Sequence, residues 1–334
     1  MIRTGSPNAD LTLLSEKAHN FPHTSSAQGV DIDGIIVLDK PKGITSQKAV
    51  EKVKKLLNIK RAGHTGTLDP FATGVLPICL NRATKIIPFL DEGFKEYEAI
   101  LRLGVETDTM DNTGNVISEK DTGEVNKDDV LRAFSGFAGE IEQIPPMFSA
   151  IKKGGVRLYD LARRGKEVER KPRTVMIEKL ELLELNLPFV RFHVRCSRGT
   201  YVRVLASNIG RELGCGGHLA GLRRIKSGMF NIKDSITLEG VERGHIKLNS
   251  LTDALSHIKK VLVAGKAASQ IRDGKQIRKS DLQSTGTAQF EVGEKIRVYH
   301  NSELICIAEA VVGSRDLNKL DSKGIAFKLI RVFN

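Results

Sequence analysis

GHTGTLDPFATG, residues 63–74, runs directly into VLPICL, residues 75–80. The first string is too rich in Gly, Thr and Pro for a regular element and predicts a twelve-residue loop; the second is an apolar run of strand length. A loop that long inside a compact domain is usually functional. Upstream, GIIVL (34–38) predicts a short buried strand that breaks at the turn residues DKPKG (39–43). Thr45 or Ser46 then caps a helix with Val50, Val53 and Leu57 on its apolar face and Lys48, Lys52, Lys54 and Lys55 outside. Downstream, residues 96–104 alternate as a strand, with Tyr97, Ala99, Leu101 and Leu103 on one face.

A helix follows at 126–137 with Val130, Leu131 and Phe134 inward. Residues 143–173 read as an excursion from the sheet, with Pro145-Pro146 and Gly154-Gly155 as loops and a short helix over 158–164. Strands are expected at 174–187 and 189–197. Thr200 caps a helix that stacks Tyr201, Leu205, Ile209 and Leu213 and stops at Gly214; a last short helix carries Leu219, Leu222 and Ile225. The final 70 residues hold a short helix near 267–272 and strands near 295–299, 304–312 and 325–332, read as a small separate β-barrel. Residues 1–33 read as a loose tail.

The chain has 334 residues, enough for two domains, and 40% hydrophobic with 28% charged residues excludes wholesale disorder, collagen and a coiled-coil rod. No apolar stretch nears the roughly 18 residues of a membrane span, and the N-terminus has no signal-peptide core, so the cytoplasm is the expected compartment. Four cysteines without a C-x-x-C pair make a disulfide scaffold improbable. The net charge of +12 is clustered: residues 145–173 hold nine basic against three acidic residues, and 191–226 hold eight against one. A clustered surplus is the footprint expected for nucleic acid.

His193, Cys196, Cys215 and His218 are the one set resembling zinc ligands, but strand alternation sends His193 and Cys196 to opposite faces, and no metal is expected. Neither a dinucleotide nor a P-loop glycine pattern is present, and no G-x-S-x-G elbow. What remains is Asp69 at the centre of the 63–74 loop. By residue type alone it is a turn former before Pro70; as a nucleophile it would have to be ionised and near a cation, which the Arg-rich 195–203 segment could supply.

GIIVLDKPKGITS (34–46), GHTGTLDPFATGVLP (63–77), KEY (95–97), LGVETDTMDNTG (103–114), IPPMFSA (144–150) and CSRGTYVRV (196–204), in that order and spacing, closely resemble the TruB family, bacterial tRNA pseudouridine-55 synthases. The resemblance runs from about 34 to 230, is weaker over the last 70 residues and is absent over 1–33. It implies an α/β (α+β) catalytic domain over 34–245 with a mixed, largely antiparallel sheet, an RNA-binding insertion at about 143–173, and a PUA-like β-barrel over 258–334. It implies that Asp69 is the catalytic aspartate, Tyr97 the active-site tyrosine and Arg203 the arginine paired with Asp69. Tyr201 and Leu222 line the substrate site and His64 stacks within the substrate loop. Lys152, Lys153, Arg163 and Arg164 are the expected phosphate contacts. Asp108 and Asp111 read as turn formers.

The expected reaction isomerises uridine 55 of the tRNA T loop, flipped from its stack, without cofactor, metal or obligatory protein partner, in a monomer. Asp69 acts on the ribose by attack at C1′ or deprotonation at C2′. A non-catalytic tRNA-folding or RNA-binding module and a guide-RNA-dependent synthase are the alternatives.

Overall fold

The computed structural model describes residues 32–90, 93–149, 151–286 and 288–333. The expected tail lies outside the described residues except at its end, where Ile32 is already buried and its carbonyl accepts from the Asn81 amide.

The strand expected at 34–38 forms as β1 (Gly34–Lys40), and its unbroken apolar run has a physical reason. Ile36 and Leu38 pack under helix α1 (Ser46–Leu56), whereas Ile35 and Val37 face a second hydrophobic layer with Phe89, Ile258, Leu304 and Phe333. Of the two candidate caps of α1, Thr45 does the work, its hydroxyl accepting from the Lys48 amide at 3.0 Å. The 63–74 loop is framed by β2 (Ala62–His64) and β3 (Thr73–Leu80), so strand structure enters both of its ends.

Strand β4 (Lys95–Leu103) follows, then the hairpin β5 (Val105–Thr107) and β6 (Val116–Glu119), helix α2 (Lys127–Gly136) and β7 (Gly139–Gln143). Within the insertion, β8 (Lys152–Lys153) and β9 (Val156–Arg157) pair across Gly154-Gly155, whose φ of 59° and 82° suit a two-residue hairpin turn, and α3 (Leu158–Arg163) follows. The chain returns through β10 (Arg173–Asn186), β11 (Phe189–Cys196), α4 (Val202–Glu212), β12 (Gly217–Ser227) and β13 (Phe230–Asn231). The main path of this sheet is β1-β3-β12-β4-β11-β10-β7, antiparallel except between β3 and β12, the mixed architecture expected.

Three sequence expectations change. The segment with Leu219, Leu222 and Ile225 is not a helix but the central strand β12. Bulges between Leu219 and Gly221 and between Arg224 and Lys226 insert extra residues, so Leu219 and Leu222, three apart, both meet inward partners of β4, Leu101 and Ala99. A bulged strand thus imitates helical spacing. Leu131 is 41% exposed, because α2 turns Val130, Ala133 and Phe134 inward instead. Thr200 does not cap α4; its hydroxyl donates to the Ser197 carbonyl, and Tyr201 holds the cap position.

Two short helices, α5 (Leu238–Glu242) and α6 (Leu251–Ala254), lead to a six-stranded sheet. It contains β14 (Lys259–Val263), α7 (Gly265–Arg272) alongside, then β15 (Ile277–Arg278), β16 (Leu282–Ser284), β17 (Lys295–His300), β18 (Glu303–Ala310) and β19 (Ile325–Val332), in the order β15-β19-β18-β17-β14-β16. It curls into the expected small, nearly closed barrel around Val263, Ile271, Phe290 and Phe327. The barrel is not separate, however: Tyr299, Leu304 and Ile307 pack with Ile35, Val37 and Phe89. No helix among the described residues is long and apolar enough to cross a membrane.

The parallel β3–β12 contact leaves no room for a side chain at Gly74. A Cβ there would stand 2.2 Å from the Arg224 carbonyl oxygen, and its φ is +100°. Gly74→Ala is expected to cost about 2–4 kcal/mol, seen as a lower urea midpoint at unchanged m-value. A midpoint within error of wild type would show that the two strands part freely.

Candidate active site

The 63–74 loop is held at both faces. Its apolar members Leu68, Phe71 and Ala72 are buried in the core, against the sheet that carries Tyr97 and Leu101. Ser46 Oγ accepts from the Leu68 amide at 2.8 Å and donates back to the Leu68 carbonyl at 3.0 Å. Lys40, fully buried, donates through Nζ to the carbonyls of Pro41 (2.9 Å), Ile44 (2.8 Å) and Pro70 (3.4 Å). From the other side Arg224 reaches the carbonyls of Gly66 and Thr67. Ala72 donates its amide to the Asp69 carbonyl, so the backbone turn expected at Asp-Pro is real, and the Asp69 side chain is left to face a cavity.

That cavity, of about 360 Å³, is lined by Asp69, Lys95, Tyr97, Tyr201, Arg203 and Leu222 among others. A third of the Asp69 side chain is open to it. Burial raises the Asp69 carboxyl above its ordinary value; Arg203 pulls it back, Asp111 pushes it further up and Lys40 opposes both. Arg203 Nη2 stands 3.3 Å from each Asp69 oxygen and donates to the Phe148 carbonyl at 2.7 Å. Its Nη1 is 3.4 Å from Asp111 Oδ2.

Five of the expected residues thus meet in one cavity. Tyr97 is both a core residue and a lining residue: only 7% exposed, it shares a strand face with Ala99 and Leu101, and burial drives its phenol up to about 12 despite the nearby Arg224. Tyr201 leaves the core that its helix periodicity assigned to it. It is half-buried, with the Arg203 guanidinium carbon 5.9 Å from its ring centre. Arg203, expected to pair with Asp69, is 5% exposed and held by Asp69, Asp111 and the Phe148 carbonyl. His64, half-buried at the end of β2, is outside the cavity lining. Lys152, Lys153, Arg163 and Arg164 are exposed on the insertion, away from the cavity wall.

Asp111 needs the plainest correction. It is a turn residue, its Oδ1 accepting from Thr113 N, Thr113 Oγ1 and Thr109 Oγ1. It is also 3% exposed and the second carboxylate on Arg203. Nothing in its polar surroundings, TDTMDNTG, marks it for burial; only the docking of that turn on β12, through Met110 O and Asn112 N to Leu219, puts it under α4. Lys40, Lys95 and Arg224 were also missed, although Lys40 and Lys95 lie inside quoted motif stretches and Arg224 follows Leu222 closely. The zinc-like set is dispersed. His193 sits 3.5 Å from Glu96, Cys196 lies in the core, and His218 Nδ1 is 2.7 Å from the Val105 carbonyl.

The basic cluster 191–226 is largely neutralised inside the fold. Arg191 pairs with Glu98, Arg195 with Glu96 and Glu178, Arg211 with Glu106, Arg223 with Asp39 and Lys226 with Glu96. Arg198 stays exposed.

Comparison with known proteins places the chain in one company. Residues 54–202 match the family model for the TruB family pseudouridylate synthase N-terminal domain, and residues 203–262 that for the tRNA pseudouridylate synthase B C-terminal domain. The tRNA pseudouridine synthase B of Geotalea uraniireducens is 45% identical over 91% of this chain and 98% of its own length. That of Geobacter sulfurreducens is 43% identical over 91% and 100%. Among solved structures, a Cbf5-Nop10-Gar1 complex aligns with a TM-score of 0.67 at 30% identity, covering 90% of this chain and 85% of that one.

Lys40 makes the site's support pH-dependent. Its ammonium is lowered from 10.5 to about 8, chiefly by burial, with Arg224 adding to the effect and Asp69 opposing it. Between those values the unfolded chain binds the proton and the fold does not, so this group's contribution to stability rises with pH across the window. The unfolding free energy of wild type minus that of Lys40→Met is expected to increase from pH 8 to 10. A flat difference would show that the fold charges this lysine as readily as water does.

Proposed function

The chain belongs to the TruB family of pseudouridylate synthases and makes pseudouridine in tRNA, and from that premise we propose that its target is uridine 55 of the T loop, with Asp69 acting on the ribose of a flipped-out nucleotide. One observation carries the reading: a carboxylate partly open to a nucleoside-sized cavity, with a guanidinium 3.3 Å from both of its oxygens. A base leaves its stack at a cost of a few kcal/mol. Tyr97, Tyr201 and Leu222 offer apolar surface to a base in the cavity and offset that cost. Outside the cavity, His64 stacks within the displaced loop.

The chemistry is an isomerisation. The N1–C1′ bond breaks, the uracil turns, C5 joins C1′, and a proton moves from C5 to N1 by way of solvent. No redox change and no hydrolysis occur, so the step calls for no cofactor. Asp69, whose charged form Arg203 and Lys40 favour against burial, acts either by attack at C1′ or by taking the C2′ proton. Arg203 keeps the carboxylate charged and aimed, and Asp111 braces Arg203 from behind. Tyr97 stacks on the base and accepts the C5 proton.

The insertion supplies the grip on RNA. Lys152, Lys153, Arg163 and Arg164 are all exposed, and the Arg157 and Arg163 guanidiniums lie 5.7 Å and 5.6 Å from the Tyr159 ring centre. With its own phosphate-binding arm, the chain acts alone, as a monomer in the cytoplasm, on the T stem-loop. The PUA-like barrel adds RNA surface beyond that loop.

Two experiments test this. Asp69→Asn is expected to drop tritium release from C5-labelled tRNA below about a hundredth of wild type with tRNA binding unchanged. A variant that keeps a tenth of the rate removes Asp69 from the chemistry. Replacing Lys152, Lys153, Arg163 and Arg164 by Ala is expected to weaken tRNA binding and flatten the slope of log K against log salt by about two to four units. Single-turnover chemistry at saturating tRNA should stay within about tenfold. An unchanged salt slope would show that RNA is held elsewhere.

A further inference from the structure

Arg224 heads the described side chains that the fold buries completely, ranked by size. It stands in β12 directly opposite Tyr97 of β4, and its guanidinium favours charge on the Tyr97 oxygen against the effect of burial. Its N–H groups meet carbonyls: Nε that of Val75 at 2.7 Å, Nη1 that of Thr67 at 3.3 Å and Nη2 that of Gly66 at 3.0 Å. Among the described residues its partners are carbonyls and a phenol, not a carboxylate. Keeping a guanidinium buried without a counter-ion is expensive. A neutral phenol does not need a cation at its oxygen, whereas a phenolate does.

We propose that Arg224 is the positioning residue for removal of the C5 proton, holding the Tyr97 oxygen and the loop that bears Asp69 in one rigid frame. This rests on the reading of Tyr97 as the proton acceptor. Once C5 has joined C1′, C5 carries both the ribose and its hydrogen. Tyr97, ionised by loss of its proton to water, takes that hydrogen as a proton. The C–H electron pair restores the C5=C6 double bond, the C6=N1 pair moves onto N1, and N1 takes a proton from water. Throughout, Arg224 offsets part of what burial costs a phenolate at Tyr97. By the same contacts it keeps the carbonyls of Gly66 and Thr67 in place, so Asp69 and Tyr97 cannot drift apart.

The test measures discrimination against tritium at C5, with full-length chain and tRNA doubly labelled with 5-³H and 2-¹⁴C uridine. Arg224→Lys keeps the charge but loses the planar fork. It is expected to slow single turnover at saturating tRNA by about 10²-fold, to leave tRNA binding within about twofold, and to raise the C5 isotope discrimination, as is expected of Tyr97→Phe too. If Arg224→Lys does not fold, Arg224→Gln, which retains an N–H donor for the loop carbonyls, is read in the same way. A slow Arg224 variant with wild-type discrimination, when Tyr97→Phe raises it, overturns the proposal and leaves the role of Tyr97 standing. If Tyr97→Phe itself leaves the discrimination at the wild-type value, Tyr97 is not the proton acceptor, and the proposal falls with it.

Discussion

The guanidinium of Arg203 touches three segments that are distant in sequence: the loop at Asp69, the turn at Asp111 and the root of the insertion at Phe148. Everything else in the site is arranged around that contact. Two carboxylates share it, and Asp111 disfavours charge on Asp69. Asp111 is almost wholly buried and satisfied by Thr109 and Thr113, so it serves as the fixed partner. Asp69 is the one partly open to the cavity. A single cation between unequal carboxylates therefore leaves one of them buried and the other accessible.

Beneath the loop two further cations, Lys40 and Arg224, hold backbone carbonyls instead of carboxylates. Backbone carbonyls satisfy their N–H groups without cancelling their charge. The result is a cavity floor whose positive field opposes the cost of burying Asp69 as an anion. The loop needs its Gly, Thr and Pro content for the same reason. Its carbonyls must turn inward toward the two cations, which regular structure would not permit.

Much of this was legible in the residues. The loop 63–74, the strand with Tyr97 and Leu101, and the strands either side of residue 188 all follow from local pattern. The bulged β12 did not, because a bulge shifts side-chain phase by one residue and made Leu219 and Leu222 look helical. Tyr201 was misplaced by the opposite error, since a residue at the helix cap is outside the periodicity of the helix it begins. Buried polar residues were the least legible. Asp111, Lys40 and Arg224 look like surface residues in the sequence, and only tertiary contacts reveal their partners. The charge count misled similarly: the arginines of 191–226 have their counter-charges at Asp39, Glu96, Glu98, Glu106 and Glu178, remote in sequence but adjacent in the sheet.

With that cluster paired inside the fold, the insertion holds the densest basic surplus left on the surface, half of the net +12, and its root is tied to the cavity. Gln143, at the end of β7, accepts the Tyr201 amide through its side chain at 3.0 Å, and Phe148 supplies the carbonyl that Arg203 grips at 2.7 Å. Both links fasten the base of the arm to the start of α4, the helix that carries Arg203. In the proposed function, phosphates drawn to Lys152 load a segment close in sequence to Phe148. In the proposed function, capture of RNA and the setting of Arg203 against Asp69 thus share one mechanical path, which runs through the Gln143 side chain and the Phe148 carbonyl.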